Sequence, residues 1–296
     1  LNERRHPRSL SGVQLPRELE IMGDAVEAVL RAELVILAVP TQQIRRAIEP
    51  LRQALQGRPI ISAAKGIEVE TLQLPSAIIG DVLGERSGPV CALSGPNLAA
   101  EIALGKPATT VVASPDSDAA GAAQAALMSD GFRVYTSRDI VGVEMGGALK
   151  NIIAIGAGIA DGLAAGDNAK AAFLTRGIAE ITRLGVALGA EPLTFAGLSG
   201  IGDLIATCSS ALSRNHQVGV ELARGVPLPD ILAGMHEVAE GVATTQAALR
   251  LAQAHGIELP ITEQLHAVLF SGRSPVDAIR ELMRREPVEE HWGMAW

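Results

Sequence analysis

The sequence is poor in aromatics, with four Phe, one Tyr and two Trp among 296 residues. Its core must therefore be close-packed from aliphatic and small side chains. Cysteine is nearly absent. Cys91 and Cys208 lie far apart and outside any CxxC, which excludes a disulfide framework and makes a reducing cytoplasm the simplest setting. No block of basic residues occurs and the formal net charge is −8, so a general nucleic-acid or membrane-binding surface is excluded. The longest apolar run near Lys150, Ile152 to Ala160, is too short to insert in a bilayer before Asp161 intervenes, and no signal peptide is visible. The six histidines show no metal-ligand spacing. "GAGIADG" (Gly156–Gly162) has the wrong spacing for a dinucleotide fingerprint and lies within a helical pattern rather than after a strand. The opening "LNERRHPRSLSGVQLP" starts without Met in polar, Pro-containing loop chemistry, as expected of a fragment.

What is present divides in two. "ELVILAVP" (Glu33–Pro40) is a continuous apolar run ended by Pro, which predicts a strand buried on both faces. A helix is expected over Gln42 to Leu55, then further strands at "RPIISAAKG", "PVCALSGPN", "ATTVVAS" and "FRVYTS". Strands alternating with helices predict an α/β domain on a mainly parallel sheet, residues 1–141. Beyond Val141 the strand signals stop, and residues 142–296 read as helices broken at Gly and Pro.

Only four lysines occur among 25 Lys plus Arg: Lys65, Lys106, Lys150 and Lys170. Where a fixed positive charge suffices, this chain uses Arg. A lysine differs because burial or a neighbouring cation draws its pKa towards neutrality and leaves an amine able to exchange protons. Lys65 follows the second strand, where ligands gather in open parallel sheets. Lys150 and Asn151 interrupt an otherwise apolar helical stretch, "EMGGALKNIIAIGAGIADG". Asp161 falls about three turns after Lys150 on the same face, with Ala154, Ala157 and Gly158 between or beside them, a face suited to close approach of a backbone or ligand. Asp203 sits between a glycine-rich turn and an apolar run, where helix N-capping is its ordinary reading. Ser213, Arg214 and Asn215 place a hydroxyl, a guanidinium fork and an amide in succession, a donor set for phosphate.

Taken together, these stretches resemble the bacterial form of the NAD(P)-dependent glycerol-3-phosphate dehydrogenase family. The resemblance rests on "ELVILAVP", "SAAKGIE", "LSGPNLAAEIALGKPA", "GGALKNIIAIGAGIADGLAAGDNAKAAFLTRG", "LSGIGDLIATC", "LSRN" and "EVAEG", in that order. It implies a Rossmann-like domain, N-terminally truncated, followed by an all-helical substrate domain of the 6-phosphogluconate-dehydrogenase C-terminal type. The family's opening strand–GxGxxG–helix–strand, about one βαβ unit of 30 residues or more, is missing ahead of Leu1.

By resemblance, the enzyme interconverts sn-glycerol 3-phosphate and dihydroxyacetone phosphate with NAD or NADP in the cytoplasm, supplies the glycerol backbone of phospholipids, and forms a homodimer. Lys150, Lys65 and Asp203 take catalytic positions. Gly95, Asn97, Ser213, Arg214 and Asn215 join them against the substrate, with Asn97 standing where Thr is frequent. Lys65, Ala99, Arg214, Val238 and Glu240 fall where the family contacts its cofactor. A related hydroxyacid dehydrogenase of the same architecture and a catalytically impaired binding protein are the competing readings.

Overall fold

The computed structural model describes residues 13–235 and 237–290, so the opening loop reading falls mostly on residues 1–12, outside the described residues. The first half runs α1 (Ala25–Leu30), β1 (Val35–Leu37), α2 (Ile44–Ile48), β2 (Ile60–Ser62), α3 (Pro75–Leu83), β3 (Val90–Ser94), α4 (Ala99–Ala103), β4 (Ala108–Ala113), α5 (Ser117–Leu127) and β5 (Phe132–Ser137). The strands form one sheet in the order β1-β2-β3-β4-β5. β1, β2 and β3 are mutually parallel, β3 pairs with β4 antiparallel, and β4 pairs with β5 parallel. The carboxyl ends of the first three strands therefore open on one edge of the sheet.

Two local expectations are corrected. β1 is not buried on both faces, because Ile36 is half exposed. Side chains alternate across a strand, and β1 lies at the edge of the sheet, so the Ile36 side has little to cover it. The continuous helix expected over residues 42–55 is broken into a 3-10 turn (Thr41–Gln43), α2, and a second 3-10 turn (Glu49–Leu51). Pro50 has no N–H to donate and its ring would clash with the carbonyl one turn earlier.

The second half is helical: α6 (Ile140–Gly162), α7 (Asp167–Ala187), α8 (Asp203–Ser209), α9 (Arg214–Ala223), α10 (Leu228–Gly234), α11 (Glu240–His255), α12 (Pro260–Phe270) and α13 (Pro275–Arg284). A π-helical turn, Leu198–Gly202, leads into α8. The hub is α6, apolar on every face and therefore surrounded by its neighbours. It is the one described helix long and apolar enough to cross a membrane, and it lies inside the protein. Asp139 starts it by accepting from Gly142 N at 2.8 Å. Its small residues let α9 lie against it, backbone on backbone. A Cβ at Gly158 would stand 2.0 Å from the His216 carbonyl, and one at Gly219 would stand 1.9 Å from that of Ile155. That close approach fixes the first turn of α9, and with it Ser213 to Asn215, relative to Lys150.

Candidate active site

Lys65 lies in the loop after β2 and Lys150 lies in the middle of α6, 85 residues apart in sequence. Both converge on Asp203, the first residue of α8. The Lys65 ammonium donates to Asp203 Oδ2 at 2.6 Å and to the Gly95 carbonyl at 2.9 Å. The Lys150 ammonium donates to Asp203 Oδ1 at 2.6 Å and to Thr207 Oγ1 at 2.6 Å. Lys150 and Asp203 are buried, and Lys65 is 19% exposed through its side chain. The capping role expected of Asp203 is not what the carboxylate does. Gly202 holds the N-cap position without a side-chain bond, and Asp203 is turned inward to the two lysines.

The charges do not balance: two ammonium groups share one carboxylate, leaving a net positive charge in a low-dielectric site. Burial first, and then the neighbouring Lys65 charge, draw the Lys150 ammonium down to about 8, against an opposing pull from Asp203. Burial pushes the Asp203 carboxyl upward, but the two ammonium groups outweigh it and hold it below the usual carboxylate range. Of the pair, Lys150 is thus prepared to lose a proton near neutrality while Asp203 stays ionised. Each ammonium carries three donors. With two committed, Lys65 and Lys150 each keep one to aim at a substrate oxygen.

Around this centre Asn151 donates to the Lys65 carbonyl at 3.1 Å and accepts from Asn215 Nδ2 at 2.8 Å, while Asn215 Oδ1 takes the Gly241 N–H at 2.9 Å. Asn215 is therefore buried and braced by its neighbours. Ser213 caps α9 by accepting from His216 N, and Arg214 is exposed, bonded to Glu237 at 3.3 Å and to the Val238 carbonyl at 3.2 Å. A helix N-terminus beside a guanidinium is a favourable place for a phosphate. Asn97 turns its amide onto β4, donating to the Thr109 carbonyl and accepting from Thr110 Oγ1. Ala99 opens α4 at the surface, and Val238 is half exposed.

Glu240 opens α11 and crosses to the sheet domain, where it accepts from Thr41 N at 2.9 Å. Burial raises its carboxyl above the ordinary value. A Cβ on Gly66 would lie 2.7 Å from Glu240 Oε2, so the Lys65 loop passes against this residue with no side chain between. The crevice thus has the carboxyl ends of parallel strands on one side and Glu240 on the other, where an open α/β sheet takes its ligands. Among the described residues, no glycine-rich strand-to-helix turn is present to take a pyrophosphate.

Neither Thr207 nor a role for Asn151 is legible in the sequence alone. Thr207 lies four residues after Asp203, one turn along the same helix face, and that spacing is the one signal it leaves. Asp161, three turns beyond Lys150 on α6, holds Lys170 and His216 at the far end of the helix.

The family model for the NAD-dependent glycerol-3-phosphate dehydrogenase N-terminus matches residues 1–120, and the model for its C-terminus matches residues 139–280. Glycerol-3-phosphate dehydrogenase [NAD(P)+] of Thermoanaerobacter sp. (strain X514) is 47% identical over 98% of this chain and 87% of its own length. That of Streptomyces coelicolor is 47% identical over 97% and 86%. The crystal structure of glycerol-3-phosphate dehydrogenase from Coxiella burnetii superposes with a TM-score of 0.89 at 33% identity, covering 93% of this chain and 84% of the other. With the two halves matched in order and nearly half of all residues shared along almost the whole length, the chain belongs to the NAD(P)-dependent glycerol-3-phosphate dehydrogenase family.

Proposed function

We propose that the protein interconverts sn-glycerol 3-phosphate and dihydroxyacetone phosphate with NAD(P)(H), and that Lys150 moves the proton. The observation that carries this reading is the shared carboxylate: one Asp203 between two ammonium groups, of which the buried one is drawn to about 8. When bound, the nicotinamide exchanges a hydride with C2 of the three-carbon substrate. Neutral Lys150 accepts the C2 hydroxyl proton during oxidation, and its ammonium returns that proton to the oxygen during reduction. Lys65 favours the neutral amine on Lys150 by charge repulsion and donates to the same oxygen as negative charge develops there. Asp203 holds both amines in place. Ser213, Arg214 and the first turn of α9 take the phosphate, with Asn215 as the brace beneath. Gly95 and Asn97 border the substrate from the β3 side, while Ala99, Val238 and Glu240 border the cofactor. Two buried free thiols, Cys91 and Cys208, agree with a reducing cytoplasm.

The pH dependence has a definite sign. Oxidation needs the neutral amine, so its rate is expected to rise with pH and level off above about 8; reduction needs the ammonium and is expected to fall above about 8. Paired pH profiles of kcat/KM in the two directions check this, since that ratio reports the free enzyme, and limbs running the same way in both would overturn the assignment.

The phosphate clamp is tested through specificity. Arg214→Ala is expected to raise KM for dihydroxyacetone phosphate about tenfold to a hundredfold, as the loss of hydrogen bonds to a charged group implies. Any turnover of unphosphorylated dihydroxyacetone should lose less, because only the share of Arg214 that faces the cofactor is removed there. Following nicotinamide absorbance with both ketones decides the matter. An equal change for the two substrates would remove Arg214 from the phosphate.

A further inference from the structure

Glu144 is a buried carboxyl that the proton transfer does not use. It lies on α6 ahead of Lys150, is 4% exposed, and among the described residues bonds Ser76, in the first turn of α3. One oxygen accepts from Ser76 N at 2.8 Å and the other from Ser76 Oγ at 2.6 Å. Helix α3 needs this contact. Its N-cap residue is Leu74, which has no side-chain acceptor, and Pro75 occupies the next position. The first amide free to donate is that of Ser76, and an unpaired helix N-terminus costs free energy unless an acceptor reaches it. Glu144 supplies the acceptor from another helix, and its charge is favoured by the α3 dipole.

The position along α6 gives the contact its consequence. Glu144 and Asn151 are seven residues apart, two turns or about 10 Å along one face. Asn151 bonds the carbonyl of Lys65, at the start of the loop that leaves β2. Glu144 bonds Ser76, where the same loop ends in α3. Between them Ile67, Val69, Leu72 and Leu74 pack into the helical core with Met145 and Leu149. Gly147 lies between the two grips, and a Cβ there would stand 3.4 Å from Lys65 Cγ. The loop that carries Lys65 is thus held at both ends by the helix that carries Lys150.

We infer that Glu144 is a positioning residue for the reaction: by capping α3 from α6 it sets the register of the Lys65 loop against Lys150. The inference rests on the proton-transfer reading of Lys150 given above. Burial raises the Glu144 carboxyl to about 7, against the downward pull of its two bonds to Ser76.

The test compares Glu144→Ala, Glu144→Gln and Ser76→Ala in the full chain, with Lys150→Ala in the same assay. Glutamine keeps an acceptor for the Ser76 amide and a donor for its hydroxyl. Glu144→Ala is expected to lower kcat roughly 10- to 100-fold with KM held within about threefold, because a displacement of about 1 Å remote from the chemistry acts on rate. Glu144→Gln should restore kcat to within about threefold of the parent on the same argument. Ser76→Ala, which loses one arm, should fall between. Should Glu144→Ala not fold, Ser76→Ala carries the test: reduced kcat at unchanged KM supports the inference, and parental kcat overturns it. A folded Glu144→Ala with parental kcat overturns it as well. If Lys150→Ala keeps its turnover, the proton-transfer reading fails instead, and the two failures are distinguishable.

Discussion

Replacing Lys150 with alanine is expected to lower turnover in both directions by roughly 10²- to 10⁴-fold, the usual contribution of a positioned general acid/base. KM for the phosphorylated substrate should change far less, because the phosphate is held elsewhere, at Arg214 and the start of α9. The fold should survive the change. Asp203 keeps Lys65 at 2.6 Å, and the variant no longer buries an ammonium that is drawn down from 10.5 to about 8. That displacement makes a second measurement possible. Between pH 8 and 10.5 the unfolded chain still holds the lysine proton and the folded chain does not, so the Lys150 contribution to stability grows as pH rises through that window, opposed above about 9 by the buried Cys208 thiol, which burial pushes up to about 12. Below about 8 both states are protonated, and the cost of burying the charge is constant. Lys150→Ala should remove the rise. Denaturation measured on both sides of the window, together with kcat, separates loss of the proton carrier from loss of the fold. A variant with near-parental turnover would take Lys150 out of the reaction altogether.

The sequence made Lys150 conspicuous because an apolar helix has no ordinary use for an ammonium group. Helical spacing alone did not identify the partner; only the family resemblance set Asp203 beside it. A helical repeat fixes which way a side chain faces, and on that count Asp161 was as well placed as any carboxylate. The partner was decided by packing: α8 lies beside the middle of α6 and brings in Asp203 and Thr207, while Asp161 reaches the end of the helix and meets Lys170 and His216. The same distinction runs through the fold. Strand sites and the change from α/β to all-helical sequence were legible from apolar runs and turn residues. The exposure of Ile36 was not, because it depends on where β1 falls in the sheet order. Glu144 was invisible for a related reason. Its acceptor role is set by a helix whose own first turn lacks a cap, and nothing within five residues of Glu144 carries that information.

Asp203 offers the sharper test of how the site works, because its removal should act on rate, stability and pH dependence together. Asparagine has nearly the same shape, so Asp203→Asn removes the charge without opening a cavity. Two ammonium groups, one of them buried, then lose the carboxylate they share. Breaking a buried ion pair by neutralising one partner costs about 3–5 kcal/mol, and a large fall in melting temperature is expected. Turnover should also fall, by roughly a hundredfold, since both lysines lose the group that orients them. The pH profile should move in a particular direction. Asp203 is the main influence that raises the Lys150 pKa, so without it the amine sheds its proton more readily, and the oxidation limb shifts below about 8 rather than above it. A carboxylate that acted itself as the base would give no such shift, because its loss would abolish the limb. Combining Asp203→Asn with Lys150→Ala closes the argument. If the carboxylate works through the two amines, the double variant loses less than the product of the single losses, its extra loss over Lys150→Ala being what Asp203 does through Lys65; if the two losses multiply in full, they act independently and the shared-carboxylate mechanism is wrong.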